Sequence, residues 1–207
     1  MASGTMLSTF AGAEILRQTP GILRSLLANA TPEDMAWQPS PDRWSINVVL
    51  AHLVSVEVEG FVCRFRAIVE QDRPLFPVYD QTELFRSGKR FDGLAELTDF
   101  EQHRRETLAW LESLSPSVGS RTGQHQELGV VIFNELLNEL AFHDLGHIRQ
   151  VVELHRSHAF YPQMGVFRSY YKIHPLAMMQ PRRAVGEMTA PGAGAPELVQ
   201  LIEREYV

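Results

Sequence analysis

The run Asn134-Glu135-Leu136-Leu137-Asn138-Glu139-Leu140-Ala141-Phe142-His143-Asp144-Leu145-Gly146-His147-Ile148-Arg149-Gln150-Val151-Val152 decides how the rest of the chain is read. Leu136, Leu140, Val151 and Leu154 recur at helical spacing, and His143 and His147 fill the gap in that stripe. Four residues make about 400° of turn and ~6 Å of rise, so both imidazoles leave one face, one above the other. They stand where leucine is expected and therefore point at a core. A buried polar ring needs a partner. A metal ion held by two ring nitrogens would be one, but a mononuclear site needs a third protein ligand from elsewhere.

The rest of the chain supplies the frame. Ser8–Asn29 reads as a first helix that Pro20 should kink or divide. Residues 37–43 contain Pro39 and Pro41 and are irregular. Ser45 is a plausible N-cap for a second helix carrying Val48, Val49, His52, Leu53, Val56, Gly60 and Cys63 and ending near Glu70. Asp72–Arg90 reads as a long loop, of the kind that tends to be functional. A third helix runs from about Asp92 to Leu114, and a hairpin-like pair follows around 121–129. The fourth helix covers about Val130–His158. Four amphipathic helices bury their stripes best against one another, which makes the chain an all-α four-helix bundle over residues 1–160. Pro162, Gly165, Pro175, Pro181 and Pro191–Pro196 make residues 161–207 an irregular C-terminal extension, which Phe167, Tyr170 and Tyr171 should pack against the bundle.

Within such a bundle the third ligand is His52. It and the His143/His147 pair are the histidines on inward stripes, and a His₃ set suits Zn²⁺, Ni²⁺ or Fe²⁺ with positions left open. His125 lies in a loop, His103 lies off the apolar stripe, and His155 and His158 suit a helix C-terminus. Cys63 and His158 are each ~16 Å along the axis from the nearest candidate ligand. Glu139, one turn before His143, could orient its ring as an outer acceptor, and Glu59 belongs at the rim. Asp144 directly after His143 imitates the glutamate of a zinc protease helix but is one methylene short. A di-iron site needs a second Glu-x-x-His-like element, which the chain lacks.

Composition excludes other classes. The net charge of −6, without a dense basic run, argues against nucleic acid as a partner. The single cysteine, Cys63, forbids an intrachain disulfide and suits a reducing compartment. No apolar run reaches membrane-spanning length and no signal peptide is evident, so a cytoplasmic protein acting on a small molecule is expected, with no membrane partner.

Trp44-Ser45-Ile46-Asn47-Val48-Val49-Leu50-Ala51-His52-Leu53 followed by Glu57, the preceding Trp37-Gln38-Pro39, and His143-x-x-x-His147 followed by Gln150 together resemble the DinB/YfiT-like superfamily over residues ~8–158. The resemblance implies a bundle of up-down-down-up order, often a homodimer, with a divalent metal, usually Zn or Ni, on His52, His143 and His147. It further implies a low-molecular-weight-thiol-dependent transferase or isomerase using glutathione, mycothiol or bacillithiol. The cosubstrate pocket is then expected near residues 73–91. If water rather than a thiol is activated, the same site gives a hydrolase with Asp144 or Glu139 as base. Two other possibilities are a non-enzymatic metal-binding stress-response module, its first shell closed by His125 or Glu139, and a bundle without metal whose histidines are simply hydrogen-bonded.

Overall fold

A computed structural model describes residues 4–80 and 88–171. Capping places the helices. Thr5 and Ser8 form a reciprocal capping box around the short α1, Met6–Thr9, and the chain breaks at Phe10–Gly12 before α2, Ala13–Leu26. The first helix expected at Ser8–Asn29 is thus two helices, divided ahead of Gly12 and not at Pro20. Thr31 and Asp34 box the start of α3, Pro32–Ala36. Ser45 Oγ accepts the Val48 amide at the start of α4, which runs Ile46–Glu70 with a π-helical stretch at Val56–Val62. Asp92 caps α5, Gly93–Glu112, by accepting from the Leu94 and Ala95 amides. The last long helix, α6, is Phe133–His155, extended by a π-turn at Arg156–Phe160.

Contacts between helices set their directions. At the start of α4, Asn47 Oδ1 accepts from the Gly93 amide at the start of α5; further along, Glu57 meets Arg104. Those two helices are therefore parallel. A Cβ on Gly93 would strike Asn47 and the Met35 side chain, so glycine is what allows this approach. His52 meets His143 while Phe65 packs on Phe133, which makes α4 and α6 antiparallel. Arg24 pairs with Glu101 and the Leu16 carbonyl meets Arg104, which makes α2 antiparallel to α5. The bundle is up-down-down-up. Because α4 and α5 run the same way, the chain between them must travel back along the bundle, which explains the length of the 71–92 connection.

That connection contributes β1, Leu75–Phe76, which pairs in parallel with β2, Thr122–His125. An antiparallel hairpin joins β2 to β3, Gly129–Ile132. The hairpin falls where the turn residues suggested, but Gly129 opens the second strand instead of closing it. Arg121 fastens this small sheet to the end of α4, donating to the Ile68 and Gln71 carbonyls at 2.7 Å each. By length and composition α4 could cross a membrane, yet Val49, Leu50, Leu53, Phe61, Phe65 and Ile68 are buried in the bundle.

The apolar core is not continuous. One cluster gathers Leu16, Phe61, Phe65, Phe133, Leu137 and Leu140. A second gathers Leu23, Trp44, Val49, Leu50, Leu97, Phe100, Val151 and Leu154. Between them lies a polar layer holding His52, Glu57, Arg104, Asp144 and His147, each at most 3% exposed. Past α6, Phe167, Tyr170 and Tyr171 are exposed, so these rings do not supply the packing expected of them. The rest of the extension, from residue 172, lies outside the described residues.

Candidate metal centre

The stripe arithmetic brings three rings together in the polar layer. His52 enters from the second turn of α4, and His143 and His147 enter from α6. The His143 Nε2 lies 3.2 Å from His52 Nε2 and 3.1 Å from His147 Nε2. One ligand atom from each ring falls within 4.8 Å of the others, and no fourth His, Cys, Asp or Glu joins the group among the described residues. Trp44 forms one wall, its ring 4.8 Å from His52 and stacked near-parallel to His147 at 6.3 Å. Phe61 presents an edge to His143 at 5.6 Å.

Burial lowers the pKa of all three. For His52 the His147 ring adds to that effect, and for His143 both neighbouring rings and Arg104 add to it. His147 falls to about 4, burial outweighing the opposing hydrogen bond of Gln150. At neutral pH the group is three uncharged imidazoles, the form that donates to a metal.

The hydrogen bonding fits a cation better than it fits protons. His147 Nδ1 and Gln150 Oε1 are 2.8 Å apart, so Nδ1–H donates to the amide oxygen and leaves the Nε2 lone pair facing inward. His143 Nε2 faces two other Nε2 atoms, and a single proton there cannot serve both. The Nδ1 atoms of His52 and His143 are buried without partners. No tautomer satisfies the set. A tetrahedral zinc bound at ~2.0–2.1 Å separates its donor atoms by ~3.3 Å, close to the two spacings from His143 to its neighbours.

The DinB superfamily model matches residues 15–151. The chain belongs to the DinB superfamily. Among solved structures, YfiT from Bacillus subtilis aligns with a TM-score of 0.61 at 20% identity, covering 69% of this chain and 83% of that one. YfiT is described as a probable metal-dependent hydrolase with an unusual four-helix bundle topology; at this identity the likeness establishes the shared fold. No curated protein sequence matches the chain.

In this DinB-superfamily chain the acids near the pair are arranged otherwise than their spacing suggested. Asp144 points about 100° round the helix from His143, into the bundle, where Arg104 takes both its oxygens. It orients no ring and has no free oxygen for a proton transfer. Glu139 makes no bond to His143, whose Nδ1 is unpartnered. Its residue is exposed, yet desolvation raises its carboxyl pKa against the opposing charge of Arg64. His125 is also displaced from the expected role. Its Nδ1 accepts the Glu127 and Leu128 amides and so caps the hairpin turn. His158 pairs with Asp34 at 2.9 Å and stacks on Trp37, while half-buried His103 lies 3.9 Å from Glu106. Glu59 is at the rim, accepting from Ser55 Oγ.

The long connection reaches this region through Tyr79, whose hydroxyl lies 2.6 Å from Ser55 Oγ, one turn beyond His52. Arg64 holds the same segment by donating to the Pro77 carbonyl at 3.3 Å. The expected cosubstrate pocket near residues 73–91 includes 81–87, which lie outside the described residues.

Two residues were not given a role from the sequence. For Gln150 the sequence shows only membership of a motif, although the i,i+3 spacing to His147 places it within reach. Arg104 was missed altogether. It sits on the stripe Leu97, Phe100, Arg104, Thr107, Leu111, which is regular helical spacing with a cation inside it.

Proposed function

We propose that this protein is a cytoplasmic divalent-metal enzyme holding zinc or nickel on the Nε2 atoms of His52, His143 and His147. Its reaction is a transfer or isomerisation that uses a low-molecular-weight thiol and a small-molecule acceptor. The observation that carries this reading is the three-sided convergence of neutral imidazoles with no fourth protein ligand beside them among the described residues. Structural zinc sites are closed, whereas catalytic ones keep a position open. A bound divalent cation would lower the pKa of a thiol or water at that position and so provide a nucleophile at neutral pH. The chain's own residues do the rest. Gln150 fixes the tautomer of His147, Trp44 and Phe61 exclude water from the rings, and the Tyr79–Ser55 bond ties the connection to the ligand-bearing turn of α4. A homodimer is part of the proposal, by analogy with the superfamily.

Elemental analysis of the purified protein, with a binding screen of glutathione, mycothiol and bacillithiol, tests this. One equivalent of metal, lost in His52→Ala, and saturable binding of one thiol are expected. Wild-type protein that takes up no divalent metal would overturn the reading. Metal without affinity for any thiol would favour a hydrolase, the description given to YfiT. In that case Glu139, on the His143 face of α6 and with its pKa raised, is the base. A non-catalytic metal module is not favoured, because neither His125 nor Glu139 joins the three rings.

A further inference from the structure

One buried residue on a helix that supplies no ligand touches every helix of the bundle. Arg104, 1% exposed, has five N–H donors, and each has an acceptor. Its Nε and Nη2 donate to the two Glu57 oxygens at 3.1 and 2.9 Å. Its Nη2 and Nη1 donate to the two Asp144 oxygens at 3.0 and 2.5 Å. The second Nη1 proton goes to the Leu16 carbonyl at 3.1 Å. The ring of Phe100 closes one face of the guanidinium at 4.8 Å.

Irregularities in two other helices serve this residue. Pro20 has no amide hydrogen, so the Leu16 carbonyl four residues earlier loses its helical donor, and Arg104 supplies the replacement. Glu57 lies in the π-helical stretch of α4, where the winding departs from the ordinary helix. Asp144 stands between the two α6 histidines, and Glu57 stands five residues beyond His52. The guanidinium thus grips both ligand-bearing helices beside their ligands, through two-pronged contacts that tolerate little sliding or rotation. Two carboxyl groups face one guanidinium beside the three imidazoles.

We propose that Arg104 is the positioning residue of the histidine site: by joining Glu57 of α4 to Asp144 of α6 it sets the register in which His52 meets His143 and His147. This rests on the metal reading given above. The test is zinc affinity, measured by competition with a chromophoric chelator, together with the visible absorption of the cobalt(II)-substituted protein. It compares wild type, Arg104→Lys, Glu57→Gln and a control, Leu111→Ala, which lowers stability through a buried apolar site of the same helix. Arg104→Lys and Glu57→Gln should bind zinc about tenfold more weakly or worse and shift the cobalt bands, as removal of outer-shell partners does elsewhere. The control should melt earlier yet keep wild-type affinity and spectrum. Wild-type affinity in both polar variants, or an equal loss in Leu111→Ala, would overturn the proposal while leaving the metal site standing. Should Arg104→Lys fail to fold, Glu57→Gln decides alone, since it keeps the side-chain shape and one acceptor oxygen. A wild type that binds no zinc would remove the metal reading, and this inference with it.

Discussion

Two polar clusters share the middle layer of this bundle, and they are built on opposite terms. Around Arg104 every guanidinium donor has an oxygen acceptor. Among the histidines, ring nitrogens face one another and two Nδ1 atoms have no partner. Burial costs the charged groups around Arg104 more desolvation than it costs the neutral rings, and the two clusters differ in what the sequence provides to offset that cost. The arginine cluster is complete in the protein alone. The histidine cluster is complete only with something added. The most forceful way to break the comparison is to remove one member of each. Arg104→Met leaves two buried carboxylates without their cation and should cost ~3–5 kcal/mol or abolish folding. His143→Ala in metal-free protein removes a group that was never fully satisfied and should cost less, about 1–2 kcal/mol. Urea unfolding of both variants measures the gap; equal losses would mean the two clusters are energetically alike.

Adding a divalent metal should narrow that gap. A metal that bound the native arrangement of the three rings and not the unfolded chain would stabilise by mass action, about 2.7 kcal/mol at a hundredfold excess over Kd. The melting temperature of wild type should therefore rise with zinc concentration and fall back with chelator. In His147→Ala it should be insensitive to both. Zinc-dependent melting that persists in that variant would place the ion elsewhere.

The sequence disclosed these two clusters unequally, for a physical reason. Histidine at a leucine position in Leu136–Leu154 or Val48–Val56 breaks an apolar period, and the break is visible without knowing the neighbours. The helices and most of their caps follow from the same local rules, as Ser45 and Asp92 show. Arg104 breaks a period just as plainly, but a long charged side chain is ordinarily read as reaching for water. Its burial depends on Glu57, Asp144 and the carbonyl opened by Pro20, which are remote in sequence. Asp144 was assigned to the wrong cluster for the same reason: proximity along the chain put it beside His143, while helix geometry turns it toward α5. The parallel pairing of β1 with β2, two residues long inside a Pro-containing connection, has no local signature either. Nor does the π-helical stretch in α4.

A subtler way to sharpen the contrast is to touch the one satisfied atom of the histidine cluster. Gln150→Ala takes away the acceptor that holds His147 Nδ1–H. Zinc affinity should drop about tenfold, while metal-free stability shifts little. Gln150→Glu should retain or raise affinity, because a charged acceptor makes the ring a better donor. Isothermal titration of the two variants checks the sign; equal affinities would leave Gln150 a bystander.

The smallest effect lies away from the layer, at the contact between α3 and the end of α6. The amide and hydroxyl of Thr31 and the His158 ring lower the Asp34 carboxyl to about 2. A carboxylate whose folded pKa lies below its unfolded value, 3.8, binds fewer protons folded than unfolded as acid is added. Its contribution is therefore present in full above about pH 3.8 and fades as the pH falls toward 2. Asp34→Ala should be less stable than wild type at neutral pH, and the difference should shrink across that window. A difference that stayed constant down to pH 2 would mean that Asp34 acts there through shape and not through charge. The contact would then be one more neutral cap, with no electrostatic part in holding α3 to α6.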